Sequence, residues 1–202
     1  MNRLVISKPN NIGLHKLCET VSLSEIRTKE FQQIIESMLD IVYGKSNKGK
    51  NRNTNKPSTV GLSANQVGID KRISIVDLGI GHKSYNDLHI LINPEIYWYS
   101  KTKIRRPEGC VNLEEIWGIV DRSKRVKVRA YDRSGNRISL DLKGLAAILL
   151  QHEVDHLNGM LFIDRLTDPK KAHMVKDGQL REYKKAKDNW NNYIDVSSLL
   201  IK

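Results

Sequence analysis

The sequence predicts an α+β fold in which antiparallel and mixed strands pack around one central helix, with a further helix near each end. Three observations predict it: apolar residues at helical spacing in two long stretches, five short strand-like runs, and cap or turn residues between them. A first helix is expected from about Ser24 to Tyr43, where Ile26, Phe31, Ile34, Ile35, Met38, Leu39 and Val42 share one side and Gly44 closes it. Lys45 to Ser58 carries five basic residues and no acid among Asn, Gly and Ser, and reads as a mobile loop. Strands are expected at Arg72 to Asp77, His89 to Ile92, Ile119 to Asp121, Arg125 to Tyr131 and Arg137 to Leu142, with a turn over Asp132 to Asn136. Next, Leu142, Leu145, Ala146, Ile148 and Leu149 recur at helical spacing between a candidate N-cap, Asp141, and a helix-terminating Gly159. Asp168-Pro169 reads as the cap and first turn of a last helix running to about Lys187. No repeat or linker divides the 202 residues, so residues 1–202 are expected to form one domain.

Composition bounds the function. With 39% hydrophobic and 28% charged residues the chain reads as globular. Two cysteines, Cys18 and Cys110, are too few for a disulfide framework, and no apolar run reaches signal-peptide or membrane-spanning length. A reducing, cytoplasmic setting follows as an expectation.

The central helix carries the chemistry. It reads Gln151-His152-Glu153-Val154-Asp155-His156. Residues four apart stack on one helical face, so two imidazoles can grip one divalent ion while Glu153 sits beside it as a general base. Leu145 and Leu149 continue the same stripe, which places apolar side chains next to the histidines. Alone, the pattern fits a solvated helix face equally well. Catalytic metals usually take three protein ligands. The next histidine, His173, lacks the spacing of a zinc-peptidase signature, whereas Glu108-Gly109-Cys110-Val111-Asn112 offers a thiolate, against the plainer reading of Cys110 as a small buried residue.

A third segment, Thr59-Val60-Gly61-Leu62-Ser63-Ala64-Asn65-Gln66, completes an ordered set. Together the three stretches resemble the peptide deformylases, whose Gly-x-Gly-x-Ala-x-x-Gln, Glu-Gly-Cys-x-Ser and Gln-His-Glu-x-x-Asp/x-His motifs follow in this order. The resemblance runs from about Ile6 to Leu166. It implies a hydrolase that removes the formyl group from formylmethionine at the start of nascent polypeptides. By that resemblance Cys110, His152 and His156 hold the metal, Glu153 is general base and then acid, and the Gln66 amide and the Val111 backbone N–H stabilise the oxyanion. The metal of the related enzymes is ferrous iron, often replaceable by nickel, cobalt or zinc. Val60, Leu145, Ile148 and Leu149 would wall the methionine pocket, with Gly61 and Gly109 beside the substrate.

This chain departs from the motifs at Thr59 for the first glycine, Ser63 for an alanine, Val111 for a leucine and Asn112 for the serine. Trp117 stands where many relatives contact the peptide backbone, and Asp155 or Glu108 could pair with Arg122 to orient the ligands. The formal net charge of +11 favours a polyanion. In a deformylase that partner would be the ribosome, reached through Lys170, Lys171, Lys176, Arg181, Lys184, Lys185 and Lys187, rather than a membrane or specific DNA. Two rivals remain: a metal-dependent endopeptidase, which leaves the Cys110 and Gln66 segments unexplained, and a basic RNA- or ribosome-binding relic with impaired catalysis, which leaves Glu153 and Gln66 unexplained.

Overall fold

The protein is described here by a computed structural model over residues 4–44, 59–81, 87–186 and 189–200. The basic loop expected at 45–58 lies outside the described residues, as does Lys187.

The N-terminal helical stretch is two helices, α1 (Leu23–Ile26) and α2 (Lys29–Val42). Thr28 separates them: its backbone is extended (φ −76°, ψ 150°) and its hydroxyl accepts the Phe31 N–H at 3.2 Å. A threonine hydroxyl satisfies one of the amides that a helix start leaves open, so the sequence restarts the helix there. The predicted apolar side is correct, with Ile26, Phe31, Ile35, Met38 and Val42 buried.

β1 (Gly61–Ser63), β2 (Ile73–Asp77), β3 (Leu88–Tyr99), β6 (Arg125–Tyr131) and β7 (Arg137–Lys143) form one sheet in the order β1-β2-β3-β6-β7. β4 (Lys103–Cys110), β5 (Leu113–Ser123), β8 (Ala172–Met174) and β9 (Tyr193–Ile194) form a second, in the order β4-β5-β8-β9. Every strand pair among the described residues is antiparallel, which corrects the expectation of mixed strands.

The first sheet is covered on both faces. Side chains alternate along a strand, so Leu62, Ile73 and Ile75 meet α2 through Phe31, Ile35 and Met38, while Val76, Leu91, Val126 and Val128 meet the central helix α3 (Gly144–Leu157). Because α3 also reaches β5 of the second sheet, it is buried from Ala147 to Leu157. It begins after Lys143, not at Asp141; Asp141 belongs to β7, where it pairs in register with Lys127 and accepts diagonally from Arg125 Nε at 2.6 Å. Gly159 follows the helix with φ +73°, as its expected terminating role requires.

The largest difference lies at the C-terminus. Asp168-Pro169 opens one short 3-10 turn, Pro169–Lys171, after which the chain forms β8 on β5 and only later α4 (Leu180–Ala186). The basic residues that a single helix would have gathered are therefore spread over separate elements. Removing the Thr28 cap should cost about 1 kcal/mol. We expect Thr28→Ala to lower the unfolding free energy in urea by that amount, seen as a lower midpoint with an unchanged m-value.

Candidate active site

One buried helix turn organises the centre. His152 and His156 sit one turn apart on α3 with their Nε2 atoms 3.2 Å apart, and Cys110 at the end of β4 brings its Sγ to 3.3 Å from His156 Nε2. The three ligand atoms lie within 4.8 Å of one another. Burial and the neighbouring His152 hold the His156 pKa well below its ordinary value. Burial also opposes charge on His152, but contacts with Cys110 and Glu108 outweigh it and raise that pKa. Among the described residues His156 Nδ1 is buried with no hydrogen-bond partner, while Nε2 of the same ring lies against Cys110 Sγ and His152 Nε2. A soft sulfur and two imidazole nitrogens converging at one point suit a borderline divalent cation.

Arg122 on β5 fixes this arrangement from behind. Its Nε and Nη2 donate to Glu108 Oε1 and Oε2 at 2.8 and 2.9 Å, and its Nη1 donates to Asp155. Glu108 Oε2 in turn lies 2.9 Å from His152 Nδ1, which leaves Nε2 to face the cluster. Burial would push the Glu108 carboxyl up, but Arg122 and His152 overcome it and hold its pKa at about 2. The sequence offered Asp155 or Glu108 as partner of Arg122; the structure uses both. Arg165, not foreseen, adds two hydrogen bonds to Asp155 at 2.6 and 3.1 Å.

Glu153 faces the opposite side, toward β1 and β2. Its Oε2 accepts the Ser63 hydroxyl at 2.7 Å, and Ser63 Oγ lies 2.8 Å from Ser74 Oγ. Its Oε1 abuts Gly61, where any Cβ would collide with the carboxylate, so glycine is required by close approach. Burial raises the Glu153 pKa, and the His152 charge works against that rise. Gln66 is held at both ends: its Oε1 accepts the Ser63 N–H at 2.7 Å, and its Nε2 donates to Asn112 Oδ1 at 2.8 Å and to Cys110 Sγ at 3.3 Å. Asn112 also donates to the Ser7 carbonyl at 2.8 Å.

These groups line a cleft of about 500 Å³. Val60, Gly61, Gln66, Gly109, Cys110, Val111, Leu145, Ile148, Leu149, His152 and Glu153 all border it, while His156 is fully buried beneath. Val60 and Val111 are 44% and 40% exposed, at the mouth; Ile148 and Leu149 are buried at the wall. The Trp117 ring covers Gly109 so closely that a Cβ there would sit 2.7 Å from it. Thr59, which stands where the family pattern has its first glycine, donates its hydroxyl to the Gly61 carbonyl at 3.0 Å. Thr59, Glu108 and Trp117 also line it, as do Ile80, Gly81, Arg106, Pro107 and Lys184, whose place in the cleft was not foreseen. No local periodicity marks them, since each enters the cleft from a loop, an edge strand or α4.

Comparison with known proteins decides the family. The family model described as polypeptide deformylase matches residues 4–172. The peptide deformylase of Bartonella quintana is 35% identical over 154 residues, covering 76% of this chain and 77% of that protein. Among solved structures, the peptide deformylase of Thermotoga maritima superposes with a TM-score of 0.68 at 32% identity over 83% of this chain and 99% of that one. A Met-Ala-Ser-bound class I type b peptide deformylase from Acinetobacter baumannii gives 0.69 at 28% identity over 81% of this chain and 98% of that one. This chain belongs to the polypeptide deformylase family.

It is therefore a metal-dependent hydrolase of the formyl-removing class, and its fold is the deformylase α+β fold of antiparallel sheets with few helices. Against that background, Ser63 and Asn112 are the informative departures. Each adds a polar contact, one to Glu153 and the other to Gln66. No helix among the described residues is long and apolar enough to cross a membrane. Replacing the Arg122 side chain strands two buried carboxylates, a loss of about 3–5 kcal/mol. We expect Arg122→Leu to show that loss in urea unfolding, far more than Arg129→Leu, whose ion pair with Glu95 is exposed.

Proposed function

We propose that the cleft hydrolyses the formamide of formylmethionyl peptides through Cys110, His152 and His156 as metal ligands and Glu153 as proton carrier. The observation that carries this reading is the convergence of the three ligand atoms within 4.8 Å, with the Glu153 carboxylate and the Gln66 amide beside them. The donor set leaves one coordination position for a reactant. A bound divalent ion would polarise the formyl oxygen and lower the pKa of a water toward ~7. Ferrous iron is the proposed ion, with nickel, cobalt or zinc as substitutes, because one thiolate and two imidazoles suit each of them.

Glu153 takes the proton of the attacking water as oxygen adds to the formyl carbon. It then delivers that proton to the nitrogen as the C–N bond breaks, so formate and a free α-amine leave. Burial brings this carboxyl nearer the pH at which it must both accept and donate. The Ser63 hydroxyl holds one oxygen of Glu153 and so turns the other toward Gly61 and the cleft. Oxyanion stabilisation falls to the Gln66 amide, already fixed by Ser63 and Asn112, and to the Val111 N–H in the turn after Cys110. Val60, Leu145, Ile148 and Leu149 wall the methionine pocket. β1 and β4 are the edge strands of their sheets and both border the cleft, so an extended peptide can pair between them, with Gly61 and Gly109 allowing close approach. The setting is proposed to be the cytoplasm, where reducing conditions protect the Cys110 thiolate.

Ribosome contact through the exposed residues Lys170, Lys171, Lys176, Arg181, Lys184 and Lys185 is a further part of the proposal. It calls for charge-reversal variants, since the C-terminal segment also supplies β8 to the second sheet. Binding should weaken steeply with salt; binding insensitive to salt and to those reversals counts against it.

The assay is formate release from a formylmethionyl peptide beside its unformylated counterpart. Formate from the first alone supports the reading, and internal cleavage supports an endopeptidase. Glu153→Ala should keep one metal ion per chain by elemental analysis and lose about 10³-fold in kcat. Retained turnover would remove Glu153 from the mechanism.

A further inference from the structure

The cleft carries two charges for which the formyl chemistry has no use. Among the described residues its lining holds two exposed cations, Arg106 and Lys184, and two carboxylates, Glu108 and Glu153. Both carboxylates are buried and engaged, Glu108 with Arg122 and His152, Glu153 with Ser63. Neither Arg106 nor Lys184 has an ion-pair partner among the described residues. The floor carboxylates are thus buried and held by protein groups, while the mouth carries two exposed cations, and the net charge of +11 adds to that field.

Lys184 is placed there by packing. Fully buried Tyr183 anchors α4: its ring lies 5.8 Å from Trp117 and 5.4 Å from Trp190, and its hydroxyl is 2.9 Å from His173 Nδ1. Next to it, the Lys184 ammonium lies 5.5 Å from the centroid of the Trp117 ring, which in turn covers Gly109. Gly109, Trp117 and Lys184 therefore form a stack from the floor to the mouth. Because the family match ends at residue 172, this cation comes from a segment outside the matched region.

Arg106 reaches the same mouth from β4. It precedes Cys110 by four residues on an edge strand and borders the cleft. At ~3.3 Å per residue that is ~13 Å from the reaction centre, the span of the second to fourth residues of an extended peptide.

We propose that Arg106 and Lys184 make the cleft selective for formylated peptides with acidic side chains at their second to fourth residues. This rests on the deformylase reading given above. An acidic peptide gains two exposed attractions and a basic one meets two repulsions. Exposed pairs of this kind each shift an equilibrium about two- to fivefold, so acidic over basic should reach about tenfold in kcat/KM at low salt.

The test compares formate release from formyl-Met-Ala-Asp-Glu and formyl-Met-Ala-Lys-Lys in low and high salt, for the full chain and for R106E, K184E and the double variant. The expected result is a tenfold preference for the acidic peptide, carried by KM, that shrinks with salt, falls in each single variant and reverses in the double variant. Equal kcat/KM at low salt, or a preference unchanged in the folded double variant, overturns the charge selection and leaves the deformylase reading standing. No formate from either peptide overturns that reading and this inference with it.

Discussion

The buried guanidinium of Arg122 is the contact on which the site depends. It belongs to β5 of the second sheet, yet its partners are Glu108 on β4 and Asp155 on α3, the helix that packs against the first sheet. Removing it would leave two carboxylates confined in low dielectric with only Arg165 and His152 to answer them. Burying an ion pair seldom adds net stability over apolar packing. Here its return is positional: Glu108 is oriented by two parallel hydrogen bonds, Glu108 orients His152, and the imidazole turns Nε2 toward Cys110 and His156. The Cys110 sulfur arrives on the same hairpin that carries Glu108 and Arg122, so one element brings both a proposed ligand and the group that aligns another.

The opposite side of α3 meets a second polar net built by strand alternation. β2 is buried on both faces, which sends Ile73 and Ile75 to α2 and Ser74 toward α3. β1 does likewise, sending Leu62 to α2 and Gly61 and Ser63 to Glu153. A glycine and two serines thus occupy the strand positions where larger apolar residues would displace the carboxylate. The Ser63 hydroxyl holds Glu153 and the Ser63 N–H holds Gln66, so the proposed proton carrier and the proposed oxyanion donor share one support.

Much of this was legible in residue order. The three motifs located the cleft, and the stripe from Leu145 to His156 gave both the proposed ligand pair and apolar residues that border the cleft. What escaped has physical causes. β4 contains Pro107 and four charged residues, which hide a strand; its place at a sheet edge tolerates the missing N–H. Thr28 looked like one more residue of a continuous helix because its capping bond is local and leaves the apolar period intact. The last helix was overread because a cap and first-turn proline at Asp168-Pro169 say nothing about Tyr183, whose burial against Trp117 and His173 decides where α4 lies. The Ser63 to Glu153 bond spans 90 residues and leaves no spacing to detect, so nothing in residue order tied the Ser63 departure to the proposed base.

The central claim is that one hairpin and one helix, aligned through Arg122, present a sulfur and two nitrogens to a single divalent ion. X-ray absorption at the metal edge of anaerobically purified, zinc-exchanged protein tests it most directly. The account predicts one sulfur at ~2.3 Å and two nitrogens at ~2.0–2.1 Å, with the sulfur lost in Cys110→Ala. A coordination shell of oxygen and nitrogen alone, or a sulfur signal that survives in Cys110→Ala, would contradict it.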